Sequence, residues 1–418
     1  MGDEGGGLSE LRRALVDELR SKGAIRTPEV EEAFLRVPRH LFVPQVPPRR
    51  AYSDEAIPTK LCEGVPISSS SQPAIMALML EQLDLRPGQR VLEIGAATGY
   101  NAALMAHIVG DAGEVTTVDI DEDLVEDARR HLSAAGLERV RVLRADGVRG
   151  HPEGAPFDRI ILTVGTWDIA PAWSDQLALG GKLVLPLQLG AAEVSVAFER
   201  AGSLLRNVSI VGCGFMSLRG VLAVPERNLR LGPDEDMTLT LYSELPIVQD
   251  TIYEWLIPPG RDLPTGVLLR RRELDGLRAW MSVHSPDVCN LDARGRAADG
   301  GIIPCIYRAT SGGSHCFACG LVAEDGLCLL MRSPETSDSP VGSSPTESGA
   351  NELYVRHFGP GDAARDRLMD LIAEWDAAGQ PYIDALSITA YPEDEEPSTS
   401  DREVIITRRS GRLAFSWS

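Results

Sequence analysis

From residue 74 to about 190 the chain repeats one pattern, a short apolar run followed by a longer segment with apolar residues at helical spacing. The apolar runs are RVLEIGA (90–96), EVTTVDI (114–120), VRVLRA (140–145), FDRIILTVG (157–165) and GKLVLPLQ (181–188), with GYNAALMAHIVG and DEDLVEDARRHLSAAG between the early ones. Strands that are apolar throughout are buried on both faces, and strands separated by helices run parallel. The pattern therefore predicts an α/β fold, a parallel sheet with helices on both faces. Residues 193–220 instead alternate apolar and polar, as hairpin strands do, and should finish the same sheet at an antiparallel edge.

Upstream, LSELRRALVDELRSKGAI (8–25) reads as a helix stopping at Gly23, and RTPEVEEAFLRV as a second, with Thr27 as N-cap and Pro28 at its first position. PRHLFVPQVPPRRAYSDEAIPTK (38–60) is Pro-punctuated and predicts an irregular surface stretch. It leads to ISSSSQP (67–73), whose serines read as a solvated linker except that a helical apolar run, AIMALMLEQL, follows at once. Beyond about 225 the texture changes. DMTLTLYSEL, TGVLLRRREL, RAWMSVHS (278–285) and ANELYVRHFG predict strands, 362–379 a helix ended by Gly379, and 402–418 a hairpin turning at Ser410-Gly411. Three segments follow: 1–73, a helical segment on the substrate side; 74–222, the Rossmann-like core; and 223–418, a separate α+β domain. Within the last, 333–349 and 393–401 are polar, low-complexity loops, the first expected to be mobile. No internal repeat is evident.

Net charge is −20, from 41 basic and 61 acidic residues, which weighs against nucleic-acid binding. No apolar run approaches a membrane span, and the acidic, Gly-rich MGDEGGGLSE is unlike a signal peptide; a cytoplasmic protein without membrane contact is expected. Seven cysteines make an odd count. Cys305, Cys316, Cys319 and Cys328 could supply four thiolates to zinc, but their outer spacings form no second CxxC, and reduced thiols are the expectation.

The turn after the first strand, EIGAATGYNAA, lets backbone N–H groups at a helix start approach a ligand. Tight strand–helix turns are common in α/β proteins, so alone it is weak. The second strand ends at Asp119, placed to accept from ribose hydroxyls or, equally, to cap the next helix. The third leads into Asp146-Gly147, where a carboxylate can accept from an adenine amino group. Together these point to an adenosine-containing cofactor. Glu93 disfavours a nearby pyrophosphate, and S-adenosylmethionine, with a sulfonium and an ammonium, fits the acidic site.

With VPRHLFVP, AYSDEAIP, SQPAIMALMLEQLDLRPGQRVLEIG, TGY, ADG, PFDRIILT and QLALGGKLVLPL in order, residues 8–220 resemble the protein L-isoaspartyl O-methyltransferases. The resemblance implies a class I methyltransferase sheet and S-adenosylmethionine as cofactor, leaving S-adenosylhomocysteine. It implies cofactor contacts from Glu93, Gly95, Ala96, Thr98, Gly99, Asp119, Asp146 and Gly147. In that family a serine in a Thr-Ile-Ser-x-Pro context faces the substrate carboxylate, which corresponds here to Ser71. Ser69, Ser70, Trp167, Asp168 and Arg219 are the implied substrate contacts, and no metal is implied.

Three departures bear on substrate. TVGTWDIAPAW (163–173) replaces a small-residue turn, with Trp167 and Asp168 either reshaping the substrate mouth or packing on the extra domain; the wall around Ser71 is more polar; and about 200 residues are additional. A subgroup of the family that acts on ribosomally made, modified peptides is similar in its C-terminal extension. This implies esterification of an aspartate in a constrained, cyclised precursor peptide by a monomeric enzyme, the ester closing to a succinimide (aspartimide) or going on to isoaspartate. The extension, with Trp255 and Trp280, is the expected peptide reader. Isoaspartate repair and a non-catalytic cofactor- or peptide-binding role stay open as alternatives.

Overall fold

The computed structural model describes residues 4–62, 65–219, 222–223, 226–309, 314–332, 350–397 and 403–417. The chain opens with α1 (Glu4–Ser21), α2 (Pro28–Arg36), α3 (Pro48–Ala51), the hairpin β1 (Ile57–Cys62) and β2 (Val65–Ser70), and α4 (Pro73–Leu83). The alternating part follows as β3 (Arg90–Ile94), α5 (Tyr100–Val109), β4 (Glu114–Asp119), α6 (Glu122–Ala134), β5 (Arg141–Arg144), β6 (Phe157–Leu162), α7 (Pro171–Gln176), β7 (Leu177–Gln188), β8 (Glu193–Ala201) and β9 (Leu204–Gly212). The extension begins with β10 (Arg227–Leu231), β11 (Met237–Leu241), α8 (Gln249–Leu256), β12 (Arg261–Leu269), α9 (Leu274–His284), β13 (Val288–Arg294), α10 (Gly295–Asp299) and β14 (Tyr307–Ala309). It ends with β15 (His315–Ala323), β16 (Gly326–Arg332), β17 (Asn351–Phe358), α11 (Ala363–Ala377), β18 (Leu386–Pro392), β19 (Val404–Arg408) and β20 (Gly411–Trp417).

The main sheet runs β19-β20-β18-β9-β8-β7-β6-β3-β4-β5, parallel from β7 to β5 and antiparallel from β7 to β19. Its parallel part is the class I methyltransferase sheet. A second, antiparallel sheet runs β10-β11-β13-β15-β16-β17-β12, with β14 beside β15. Both crossover helices α5 and α6 fall on one face, where Leu104 and Leu132 share a core with Val91, Ile161 and Val184. The opposite face, carrying Leu92, Ile94, Ile160 and Leu162, receives α7 through the buried Trp173 and is completed by Ala279 and Val283 of α9. The extension thus supplies part of the cover that keeps the parallel sheet out of water.

The structure differs from the sequence expectations in several places. Residues 38–60 hold two short helical turns and β1 rather than an irregular stretch. RAWMSVHS lies within α9: its Trp and Val content suggested a strand, but Leu274, Leu277 and Met281 recur at helical spacing and are buried. Strands β8 and β9 are interior to the sheet rather than its edge. Residues 386–417, assigned by sequence to the separate domain 223–418, extend the main sheet beyond β9. The hairpin turns one residue early, since Arg408 pairs with Gly411 across Arg409-Ser410. The expected mobile loop 333–349 lies outside the described residues, as do the last residues of the 393–401 loop. Cys316 and Cys319 stand three apart on β15, so their side chains enter different cores. Among the described residues no cluster of metal-ligating side chains is present, and no helix is long and apolar enough to cross a membrane.

The join between β9 and β18 is short, with Thr389 opposite Arg206 and Ala390 opposite Leu205. Asn207 lengthens it with its side chain: Nδ2 donates to the Leu386 carbonyl at 3.2 Å and Oδ1 accepts from the Ile388 N–H at 2.7 Å. Asn207→Ala leaves both backbone groups unpaired. A loss of roughly 1–3 kcal/mol is expected, read as a lower midpoint in urea or thermal melts.

Candidate active site

β3 pairs with β4 on one side and β6 on the other, so the chain order reverses beside β3 and a crevice opens at the carboxyl ends of these strands. A cavity of about 800 Å³ occupies it. One half is walled by the turns after β3, β4, β5 and β6; the other by the serine run, by residues 212–219 and by α9.

Glu93, Gly95, Ala96, Thr98, Asp119, Asp146 and Gly147 all line the first half. Glu93 is 1% exposed, held by Asn101 Nδ2 at 2.8 Å and Thr117 Oγ1 at 2.6 Å. Burial pushes its carboxyl up to about 7 against those two hydrogen bonds, with Asp119 adding to the rise. Asp119 accepts from the Ala97 N–H at 3.1 Å and the Asp121 N–H at 3.2 Å, and burial also raises its carboxyl. It caps the turns on either side while keeping lone pairs for a ligand. Asp146 accepts from the Val148 N–H at 3.1 Å. Buried Trp173 donates to the Gly147 carbonyl at 2.8 Å and so fixes that corner. Gly95 adopts φ +103°, and a Cβ there would stand 2.6 Å from Thr163 Oγ1, so only glycine fits. Carboxylates at the ends of three successive parallel strands suit a ligand with cationic groups and a diol, and repel a pyrophosphate.

In the second half the serine run is strand β2 of a hairpin, not a solvated linker. Ser68 is 6% exposed and accepts from Thr59 Oγ1 at 3.1 Å. Ser69, Ser70 and Ser71 line the cavity. The run is positioned by Arg39, a fully buried guanidinium that the sequence reading passed over. It donates to the carbonyls of Ala51 at 3.1 Å, Ser53 at 3.0 Å, Glu55 at 3.1 Å and Ser71 at 3.0 Å. Its charge is bedded on backbone dipoles and on the Tyr100 ring, 5.8 Å away. The only hint in sequence is a basic residue inside the apolar word VPRHLFVP. Arg219 lines the cavity with its guanidinium on Asp121 at 2.8 Å, an acid it shares with Lys60 of β1 at 2.9 Å.

Three of the cofactor and substrate contacts expected from sequence fall elsewhere. Gly99, at φ +83°, starts α5 and faces α6, where a Cβ would meet the Ala128 carbonyl at 3.3 Å. Trp167 lies between the Arg408 guanidinium, 3.6 Å from its ring centroid, and a parallel Tyr242 ring at 6.4 Å. Asp168 is buried and accepts from the Ser410 N–H at 2.8 Å. Both join the extension to the core instead of shaping the cavity. Trp255 packs on the extension's core and Trp280 stacks on His284 at 4.2 Å, neither on the cavity wall. Asp275 and Arg278 of α9 do line the cavity, and nothing local in the sequence marks them.

A family model described as Protein-L-isoaspartate(D-aspartate) O-methyltransferase matches residues 10–220. The protein-L-isoaspartate O-methyltransferase of Methanopyrus kandleri is 41% identical over 211 residues, 50% of this chain and 91% of that protein. That of Hyperthermus butylicus is 45% identical over 186 residues, 43% of this chain and 75% of its own. A solved structure described as a protein-L-isoaspartate O-methyltransferase aligns with 97% of this chain and 99% of its own at TM-score 0.51 and 20% identity. That likeness is one of fold, and it takes in the extension.

Two outcomes follow from the buried charges. Folding holds the Glu93 carboxyl protonated from its ordinary 4.5 up to about 7, so the folded chain binds more protons than the unfolded one in that window. Stability should therefore fall as pH rises through the window and level off above it. Glu193, also pushed up to about 7, contributes with the same sign. Glu93→Gln should flatten part of the slope and the E93Q/E193Q pair most of it, in melts across pH. Arg39→Ala leaves buried carbonyls unpaired and should cost roughly 3 kcal/mol. Arg39→Lys should keep the fold but lower kcat more than it alters cofactor affinity, measured by calorimetry.

Proposed function

The chain belongs to the protein-L-isoaspartate(D-aspartate) O-methyltransferase family, and from that premise we propose that its acceptor is an aspartate side chain in a constrained, ribosomally made peptide. It is an S-adenosylmethionine-dependent carboxyl O-methyltransferase. The observation that carries the narrower reading is the acceptor wall: Asp275 and Arg278 belong to the extension, beyond the matched residues 10–220. An acceptor that fits such a wall extends past the reacting carboxylate.

S-adenosylmethionine, when bound, supplies an electrophilic methyl group. Glu93, Asp119 and Asp146 would hold it by hydrogen bonds and charge, and Gly95 and Gly147 would let the backbone approach it closely. A carboxylate with a pKa of about 4 is already ionised at neutral pH, so no general base is required. Ser71 orients one carboxylate oxygen as a neutral hydrogen-bond donor, and the β1–β2 hairpin keeps water out. The ester is then open to attack by the backbone nitrogen of the following residue. The new N–C bond forms, methanol leaves with the nitrogen's proton, and a succinimide ring closes.

Isoaspartate repair is the second reading, favoured by 41% identity across 91% of the Methanopyrus protein. Mass spectrometry on a macrocyclic aspartyl peptide and a linear isoaspartyl peptide separates the two. The first reading expects the macrocycle to gain one methylene and then to appear one water lighter than it began. Comparable or better kcat/KM on the linear isoaspartyl peptide would hand the chain to repair. In either case Ser71→Ala should lower kcat by roughly 10–100-fold while S-adenosylmethionine affinity stays within about two-fold. Unchanged turnover would remove Ser71 from the site.

A further inference from the structure

α9 enters the cavity with Asp275 and Arg278, three residues apart on one helical face. Arg278 is fixed before any ligand arrives. Its Nη2 donates to the Ala191 carbonyl at 2.5 Å, its Cζ lies 5.1 Å from the Phe317 ring centroid, and its Nη1 stands 3.6 Å from Asp275 Oδ1. Asp275 keeps 41% of its side-chain surface and Arg278 17%. Asp275 sits over Gly212, where a Cβ would come within 3.1 Å of its Oδ2, so a glycine lets the helix approach this closely. Next to them Glu193 Oε2 accepts from the Phe215 N–H at 2.9 Å and holds the neighbouring wall, 213–219, in place.

We infer that Asp275 and Arg278 form a subsite for the main chain of the acceptor peptide beside the residue that is methylated. The pair is electrically balanced, so a lone anion or cation gains little from it. A peptide group offers an N–H to the carboxylate and a carbonyl to the guanidinium, which matches both members at once. The substrate class is then a polypeptide with at least one residue flanking the modified aspartate, rather than a free amino acid or an isolated carboxylate. The inference rests on the cavity being the site of carboxyl methylation, not on whether the peptide is cyclic or damaged.

The test crosses enzyme variants with peptide truncation. The acceptor is whichever of the macrocyclic aspartyl and linear isoaspartyl peptides the wild-type enzyme methylates. It is assayed whole and with the flanking residue removed, from either side for the linear peptide or replaced by its N-methyl form in the macrocycle. Asp275→Ala and Arg278→Ala should each raise KM roughly ten-fold for the whole peptide, the loss of one charge-assisted hydrogen bond. S-adenosylmethionine affinity should stay within about two-fold, and Arg278→Lys and Asp275→Asn serve where the alanine forms misfold. Altering the flank should cost the wild type a similar factor and cost the variants little more. Independent, multiplying losses at every flanking position would overturn the subsite, since a helix that is merely misdocked harms all peptides alike. Failure of the wild type to methylate either peptide would overturn the methylation reading itself, and this one with it.

Discussion

A parallel sheet must be covered on both faces, and here the crossover geometry leaves one face short. The steps β3 to β4 and β4 to β5 move the same way across the sheet, so their right-handed connections put α5 and α6 on one side. The other side gets the six-residue α7, which cannot by itself cover Leu92, Ile94, Ile160 and Leu162. Ala279 and Val283 of α9 complete the cover. At about 25 cal/mol per Å² of apolar surface, sealing such a patch is a large share of a domain's net stability. The extension is therefore part of the sheet's core rather than a module on a tether.

The other strong constraint lies in the crevice. Glu93 sits 1% exposed between Asn101 and Thr117, and a buried carboxyl held near neutrality costs stability at working pH. Such an arrangement persists where the site has a use for negative charge, and a cofactor with a sulfonium and an ammonium gives it one. Arg39 is the counterpart on the acceptor side. Its cation is met by carbonyl oxygens rather than by a carboxylate, so the segment 51–55 and the serine run are drawn to one point without adding negative charge beside an anionic acceptor.

What could be read from sequence was local or periodic. The five parallel strands, the acids at their ends and the glycine turn each leave a mark within a dozen residues, and they stand where periodicity and turn chemistry put them. Ser71 could be singled out only through a family word, since nothing in a serine run distinguishes one hydroxyl. Trp167 was ambiguous for a physical reason: a tryptophan after a strand of this kind can face a ligand or an interface, and its partners Tyr242 and Arg408 lie far along the chain. The same distance hid the return of β18–β20 to the main sheet. A strand's sequence shows that it pairs, not with what. RAWMSVHS misled because eight residues of mixed apolar character satisfy either period, and only its continuity with Leu274 and Leu277 decides for a helix.

The two duties of α9 are bound together by helix geometry. Arg278 and Ala279 lie three and four residues after Asp275, and Ser282 lies four and three residues after them, so the four form a single stripe. Ala279 is on the sheet, Ser282 Oγ accepts from the Ala192 N–H at 3.2 Å, Arg278 holds the Ala191 carbonyl, and Asp275 reaches the cavity. A slip of one residue in docking would turn that stripe by about 100° and withdraw the charged pair along with the apolar contact. Substrate contact and core cover therefore cannot be tuned separately through this helix. On the proposed reading, changes that adapt the enzyme to a different peptide have more freedom in the serine wall, where Ser69 stands on a hairpin outside the main sheet.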